Sequence, residues 1–369
     1  MDFRLTEQQA LLVNTARAFF AQHCPTTLVQ ALALDARGFP DDLWRQVSAL
    51  GWPGLLIPPH YGGSDGTLLD VILLVEAMGH ACFPSPYIQS AVIATTLLLA
   101  AGSREQQERH LSRMAAGERL CTLALVEESA DFTPEAIRLQ GVVGGHLNGR
   151  KLFVKDAHIA DDLIVVVRST HGYNLLLLDT THPGITLFPL DTISGEKLFE
   201  VSFTAVPIGR DTLLGLAEHG WELLAPALRL GALARSAEMV GCAQRILELA
   251  TDYAKVREQS GRPIGAFQAI QHHCADLLRN VEGARNLLYH AAWKMQEGME
   301  CATDVAMAKA YSSEACLWVA RKAHQIFGAI SYCEEHPLHL FHKRIQAASL
   351  DFGDTALHFE TVAQGIGLE

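Results

Sequence analysis

The sequence predicts an α+β protein in which a β-rich segment lies between two helical ones. Apolar residues recur at helical spacing in residues 1–118, and short β-type runs separated by turn residues fill residues 119–215. The helical period returns afterwards and continues through residues 216–369. We therefore expect an N-terminal helical domain, a middle β domain and a C-terminal helical bundle with these boundaries.

The N-terminal segment is predicted to be a succession of helices. Thr6, followed by glutamate and glutamine, predicts a capped amphipathic helix, and Asp41 is placed to cap a second helix. The almost wholly apolar stretches 68–80 and 88–101 predict buried helices. Ser103 is placed to cap a further amphipathic helix.

The middle segment has the turn chemistry of an antiparallel barrel or sandwich. Turns are indicated at Asn148-Gly149, at Pro183-Gly184 and at isolated glycines. The predicted strands cover residues 121–126, 152–154, 163–167, 174–178, 185–188 and 198–203.

The C-terminal segment is predicted to open with a long helix. Pro226 suits a first helical turn, and no further helix breaker precedes Arg257. This gives a helix of ~32 residues, or ~48 Å.

The composition describes a chain with a large core. Of 369 residues, 49% are hydrophobic and 19% are charged, which favours an enzyme-sized folded subunit over disorder. The formal net charge of −12 disfavours binding to nucleic acid or to an anionic membrane. No apolar run approaches the ~20 residues that a helix needs to cross a bilayer.

Cysteine spacing gives no support for a metal site. The 8 cysteines are scattered, and none forms a Cys-x-x-Cys pair. The N-terminus lacks the basic region and apolar stretch of a signal peptide. We therefore expect a cytoplasmic protein.

The most specific motif lies between Tyr253 and Asp276. It reads Arg257-x-x-x-Gly261-x-Pro263-Ile264, then Phe267-Gln268-x-x-Gln271-x-x-x-Ala275-Asp276. A helix that ends near Gly261 with a cation in its last turn explains Arg257 and Gly261, but not the Phe-Gln-x-x-Gln run. The motif resembles the signature of the acyl-CoA dehydrogenases, residue for residue at the same spacing.

The resemblance extends over nearly the whole chain. Further segments that resemble the family are Phe3 to Glu7 and residues 50–63, 148–154, 206–215 and 325–332. The resemblance implies an α-helical domain, an antiparallel β-barrel domain and a four-helix bundle that bind FAD and an acyl-CoA thioester. It also implies an electron-transfer flavoprotein as electron acceptor, and a homo- or hetero-oligomer, because an actinobacterial-type branch of the family has heteromeric members.

The implied chemistry is α,β-dehydrogenation. A carboxylate removes the α-proton of the thioester while the β-hydrogen passes as hydride to the flavin. Arg257 matches the family's arginine that pairs with the FAD pyrophosphate, a role that suits the guanidinium fork. The other positions matched to cofactor contacts are Gln268, Gln325, Gly328, Phe153 and Val154, with Phe153 in place of a tryptophan that stacks on the isoalloxazine.

The position of the family's catalytic glutamate holds no carboxylate. Alignment on Gly353 places Phe352 there, with Asp351 before it and Asp354 after the glycine. Asp351 is the nearest replacement base, although both aspartates equally suit a helix cap. Glu238 on the long helix is a third candidate base, or a partly exposed structural residue.

Other family positions have lost their flavin contacts. Val126 replaces a hydroxyl residue, Ser129-Ala130 and Lys155 alter neighbouring contacts, and Ser260 replaces an aromatic residue. The resemblance implies that each FAD is bound by residues of two subunits. The changed positions lie mainly among the residues that would bind the chain's own flavin. The residues that would bind a neighbour's FAD, Arg257, Gln268, Gln325 and Gly328, are kept.

Four functional hypotheses therefore stay open. They are an active dehydrogenase with an unusual base, a non-catalytic subunit that completes the FAD site of a sister chain, a flavin-dependent oxidase or monooxygenase, and a scaffold without cofactor. The acyl group is not encoded in any readable motif. Small residues at Gly62-Gly63, Ala232 and Ala234 give a weak indication of a bulky, steroid-like acyl chain.

Overall fold

A computed structural model describes residues 5–368 of the chain. Helices precede and follow a β-rich middle region, so the predicted fold class is confirmed. The α-helices are α1 Glu7–His23, α2 Thr26–Leu34, α3 Asp41–Ala49, α4 Leu68–His80, α5 Thr95–Ala101, α6 Arg104–Ala115, α7 Gly220–Val256, α8 Gln268–Gln296, α9 Ala302–Phe327, α10 Leu338–Leu350 and α11 Thr355–Gly365. The strands are β1 Cys121–Ala124, β2 His146–Lys155, β3 Asp162–Arg168, β4 Tyr173–Asp179, β5 Ile185–Leu190, β6 Leu198–Pro207, β7 Leu213–Leu214, β8 Glu258–Gln259 and β9 Arg262–Pro263.

The chain divides into two compact units. The first contains residues 5–31, 68–83 and 232–368, and the second contains residues 32–67 and 84–231. The domain boundaries after residues 118 and 215 stay a prediction.

The predicted helix caps of the N-terminal segment are present at Thr6 and Ser103. Each hydroxyl accepts a hydrogen bond from the backbone N–H three residues on, and each is matched by a reciprocal glutamine contact. Asp41 is instead the first residue of α3, with Pro40 at the cap position. The buried stretch predicted for 88–101 begins as a π-helix, Ile88–Ala94, and continues as α5.

The second unit contains two β-sheets. One has the strand order β1-β3-β4-β7 and the other has the order β2-β6-β5. Strand β1 runs parallel to β3, a pairing that the antiparallel expectation missed, and the other pairs are antiparallel. Side chains of both sheets, such as Val165 on β3 and Val201 on β6, share one buried core.

Strand β2 starts earlier than its sequence indicates. Asn148-Gly149, predicted as a turn, lies inside the strand at a register shift, where Gly149 has φ +141°. The glycine therefore serves a β-bulge rather than a hairpin.

The long helix α7 starts at Gly220, so Pro226 lies inside it rather than in its first turn. In the first unit, α9 packs against α8, α10 and α11. Within residues 5–368, no helix combines the length and the apolar composition needed to cross a membrane. The cytoplasmic location stays a prediction.

Candidate active site

The loop after α10 carries the residue that stands in place of the family's catalytic glutamate. Phe352 is buried and has φ +56°, a left-handed conformation that is uncommon for a non-glycine residue. Gly353 follows with φ +96°. The loop therefore points an apolar ring into the protein at this position.

Lys309 on α9 holds this loop in place. Its ammonium group is fully buried and donates to the carbonyl oxygens of Ser349 and Gly353, both at 2.9 Å, and to Ser313 Oγ at 3.3 Å. Burial lowers the pKa of Lys309 to about 8. Sequence reasoning missed this residue, although it lies on the helix face of the buried Val305 and Cys316.

His358 on α11 supports the same loop from the other side. Its Nε2 lies 3.0 Å from the carbonyl oxygen of Phe352, which a neutral ring can bond as a donor. Burial first, and then the positive charge of Lys309, lower the pKa of His358 to about 4. The imidazole is therefore neutral near pH 7.

Both remaining candidate bases are held by arginine side chains. Arg235 on α7 donates from Nε to Asp351 Oδ2 at 2.7 Å and from Nη1 to Glu238. Arg344 on α10 donates to the other Glu238 oxygen at 2.8 Å. All four side chains are largely buried. The two positive charges of the arginines therefore balance the two negative charges of the carboxylates in a region of low dielectric.

These contacts decide between the sequence alternatives for each carboxylate. Asp354 is the N-cap of α11 and accepts the Leu357 N–H at 2.9 Å, as its capping interpretation predicts. Asp351 does not cap α11; it is the C-cap residue of α10, and its side chain binds Arg235. Glu238 is not partly exposed as expected, because its side chain is only 7% exposed and binds two guanidinium groups.

The residues matched to the FAD pyrophosphate and adenosine lie at helix ends of the first unit. Arg257 directly follows α7 and precedes the hairpin of β8 and β9; it is exposed, and its guanidinium has no ion-pair partner among residues 5–368. Gln268 is the exposed first residue of α8, and Gln325 is exposed in the last turn of α9. Gly328 ends α9 with φ +70° and ψ −149°, a conformation open to glycine, and the space around its Cα is empty.

The predicted isoalloxazine contacts lie on strand β2 of the second unit. Phe153 is 46% exposed and has φ +55° at a bulge, so its ring projects out of the sheet. Val154 is buried in the β core, so only its backbone is left for a ligand. The Phe153 ring is thus accessible for stacking and the Val154 side chain is not accessible, and both flavin contacts stay predictions.

A buried ion pair fixes the segment that precedes these residues. Lys151 on β2 is fully buried and donates to Glu127 at 2.6 Å and to the Leu125 carbonyl at 2.9 Å. Glu127 also accepts the backbone N–H groups of Arg138 and Leu139. Burial lowers the pKa of Lys151 to about 8, against the opposing charge of Glu127.

The positions that depart from the family have local structural roles. Val126 is buried, and Lys155 pairs with Glu196 at 2.9 Å. Ala130 and Ser260 occupy tight turns with φ +54° and +52°. Among residues 5–368, no group of three or more histidine, cysteine or acidic side chains is arranged to hold a metal ion.

The free groups of the site suit a nucleotide-type cofactor. An exposed guanidinium without a counterion fits a pyrophosphate, and exposed amides at helix ends fit sugar or base edges. A projecting aromatic ring fits a flat heterocycle. Each of these features, taken within its own unit, fits part of a flavin cofactor, and the helix–β–helix order fits a flavin-dependent oxidoreductase.

Comparisons with known proteins identify the family. A model of the acyl-CoA dehydrogenase N-terminal domain matches residues 6–118, and a model of the acyl-CoA dehydrogenase C-terminal domain matches residues 218–367. The short-chain specific acyl-CoA dehydrogenase of Megasphaera elsdenii is 30% identical over 356 residues, covering 92% of each chain. The chain belongs to the acyl-CoA dehydrogenase family, and it is an FAD-dependent oxidoreductase of that family.

Solved structures extend the likeness to the whole fold. A chain solved in work on the electron transferring flavoprotein of Acidaminococcus fermentans is 27% identical, with a TM-score of 0.93 and full coverage of both chains. A chain of the ChsE4–ChsE5 complex from Mycobacterium tuberculosis is 26% identical, with a TM-score of 0.91 and 99% coverage of each chain. The segment Phe3 to Glu7, which resembles the start of the family sequences, includes residues that lie outside the described range 5–368.

Proposed function

We propose that this chain is one subunit of a heteromeric acyl-CoA dehydrogenase. It lends Arg257, Gln268, Gln325 and Gly328 to the FAD of a sister subunit, while its own site lacks a working base. The observation that carries the proposal is the contrast between these two sets of residues. The lent groups are exposed, whereas the carboxylates that would serve this chain's own site are held by arginines.

The environment of each carboxylate explains why it is a poor base. A carboxylate that accepts hydrogen bonds from a guanidinium loses an ion pair when it takes up a proton. Glu238 accepts such bonds on both oxygens, and Asp351 accepts one at Oδ2. The Phe352 side chain has no group that can accept a proton.

The cofactor residues of this chain have defined tasks. FAD supplies the hydride acceptor of the reaction. Arg257 would neutralise the pyrophosphate, Gln268 and Gln325 would orient the cofactor, and the open space at Gly328 would let the backbone approach it. Phe153 would stack on any flavin that this chain keeps for itself.

The proposal names a partner subunit, an electron acceptor and a substrate. The ChsE4–ChsE5 relative was solved as a complex of two named chains, which supports a sister dehydrogenase subunit as partner. An electron-transfer flavoprotein is the proposed electron acceptor, in line with the Acidaminococcus relative. The substrate is an acyl-CoA thioester, and the steroid-like acyl chain stays a proposal without structural support.

Co-expression tests the heteromer. Expressed alone, the chain should be poorly soluble or poor in flavin; with its sister subunit it should yield one FAD for each pair of unlike chains. Light scattering gives the assembly mass, and flavin absorbance gives the cofactor content. A stable homo-oligomer with one FAD per chain, whose flavin an acyl-CoA bleaches anaerobically, would overturn the proposal.

The second candidate is an active dehydrogenase with Asp351 as a displaced base. The Asp351 side chain retains 13% exposure, more than that of Glu238, so a substrate has better access to it. Asp351→Asn separates the two candidates, because it keeps the shape and removes the basicity. Unchanged turnover of the heteromer supports the sister-subunit role, whereas a loss of about 10²–10⁴-fold supports the displaced base.

A further inference from the structure

A cavity of about 360 Å³ lies in the first unit where α1, α4, α7 and α8 meet. Its volume is at the lower end of the range for small-molecule sites, roughly 300–1,000 Å³. None of the residues matched to the FAD or to the catalytic base lines it. It therefore needs an explanation of its own.

Both acidic groups of the cavity, Glu76 and Glu282, bind Arg285. Glu76 is buried and accepts from Arg285 Nε at 3.0 Å and from the Tyr289 hydroxyl at 2.8 Å. The remaining Arg285 nitrogens donate to Glu282 and to Gln244. The buried Glu76 and Arg285 balance each other in charge, and Glu282, whose side chain is 46% exposed, is the remaining carboxylate.

Arg17 is the one cation of the cavity that this network leaves out. Among residues 5–368 its side chain forms no ion pair and no hydrogen bond, and its Nε is shielded from solvent without an acceptor. A buried donor without an acceptor costs about 1–3 kcal/mol, so an anionic acceptor at this point would be strongly favoured. The cavity lining holds two carboxylates and two guanidinium groups, and Arg17 is the guanidinium that pairs with neither carboxylate.

The wall beside Arg17 is apolar. Val13 lies one turn before Arg17 on α1, and Leu73 and Ala77 lie one turn apart on α4. Leu5 completes this side. A ligand that fits both parts has a single anionic head and a short hydrocarbon chain.

We propose that this cavity binds a short-chain carboxylate, with its head on Arg17 and its chain along Val13, Leu73 and Ala77. The site is separate from the proposed FAD and thioester functions. Inorganic phosphate shares the charge but lacks the chain, so it should bind more weakly.

Titration of the full-length protein with sodium butyrate at low ionic strength, followed by saturation-transfer NMR, tests the site. We expect saturable binding that Arg17→Gln weakens at least tenfold, as loss of a charge-assisted bond requires. The matched control is Arg45→Gln, an exposed arginine on α3 that pairs only with Asp42 and should leave the affinity within twofold.

Two further ligands make the result decisive without any variant. Butanol has the chain without the charge, and phosphate has the charge without the chain, so each should bind at least tenfold more weakly than butyrate. Equal binding of butanol, equal or tighter binding of phosphate, or butyrate affinity that survives Arg17→Gln would each overturn the proposal. Absence of saturable butyrate binding would overturn it as well.

Discussion

Phe352 occupies a backbone conformation that costs a non-glycine residue about 1–3 kcal/mol, and its neighbours sustain it. Lys309 binds the carbonyl oxygens on both sides of the loop, and His358 binds the carbonyl of Phe352 itself. The sequence resemblance predicts a catalytic glutamate at this loop position. Here the same loop is held by buried hydrogen bonds around an apolar side chain.

His358 should make the stability of the fold sensitive to acid. Its pKa is about 4 in the folded chain and near 6.5 when unfolded, so the unfolded state binds more protons between these values. The stability that the neutral ring contributes is complete above pH 6.5 and is lost as the pH falls towards 4, by up to about 3 kcal/mol.

His358→Gln should remove this dependence, because the amide can donate to Phe352 but does not titrate. Urea unfolding between pH 4.5 and 7 measures it, with the exposed His146→Gln as the matched control. If the His358 variant keeps the acid slope of the parent protein, the assignment to His358 is wrong.

At the scale of elements, α11 depends on its N-cap for its start. Asp354 accepts the Leu357 N–H, and Gly353 before it turns the chain with φ +96°. Asp354→Ala should lower the free energy of unfolding by about 1 kcal/mol, whereas Asp354→Asn keeps the acceptor and should change it little. Chemical denaturation compares the two.

The same pair of variants tests whether Asp354 takes part in catalysis. An asparagine cannot serve as a base, so a heteromer that keeps its turnover with Asp354→Asn confirms a purely structural cap. A strong loss of turnover with normal stability would contradict it.

Across the whole molecule, the residues matched to a neighbour's FAD are exposed, whereas the carboxylates of Asp351 and Glu238 are largely buried in ion pairs. The arginine and glutamines at the ends of α7, α8 and α9 project outward, while the carboxylates near the former base position are turned into ion pairs. Such a chain is suited to complete a site that another subunit begins.

Arg257→Ala should therefore weaken FAD retention by the heteromer. Loss of a charge-assisted contact to the pyrophosphate is worth about 1.5–3 kcal/mol, or roughly 10–150-fold in affinity. Flavin content after gel filtration measures it. Arg279→Ala is the matched control, because Arg279 is an exposed arginine on α8 that contacts only Asp276. Equal FAD retention in both variants would remove Arg257 from the site.

The order of helical and β segments, the caps at Thr6 and Ser103, and the family motif at Arg257 can all be predicted from the amino-acid sequence. These features are local, because periodicity, capping and motif spacing act over a few residues.

The partners of the buried carboxylates could not be predicted before the folded chain was known. Asp351 meets Arg235 across 116 positions of sequence, and Glu238 meets Arg344 across 106. The buried Lys309 finds its acceptors about 40 residues away, on the loop of Phe352. No local pattern encodes such partners, since a buried charge takes whichever opposite group the folded chain brings within reach.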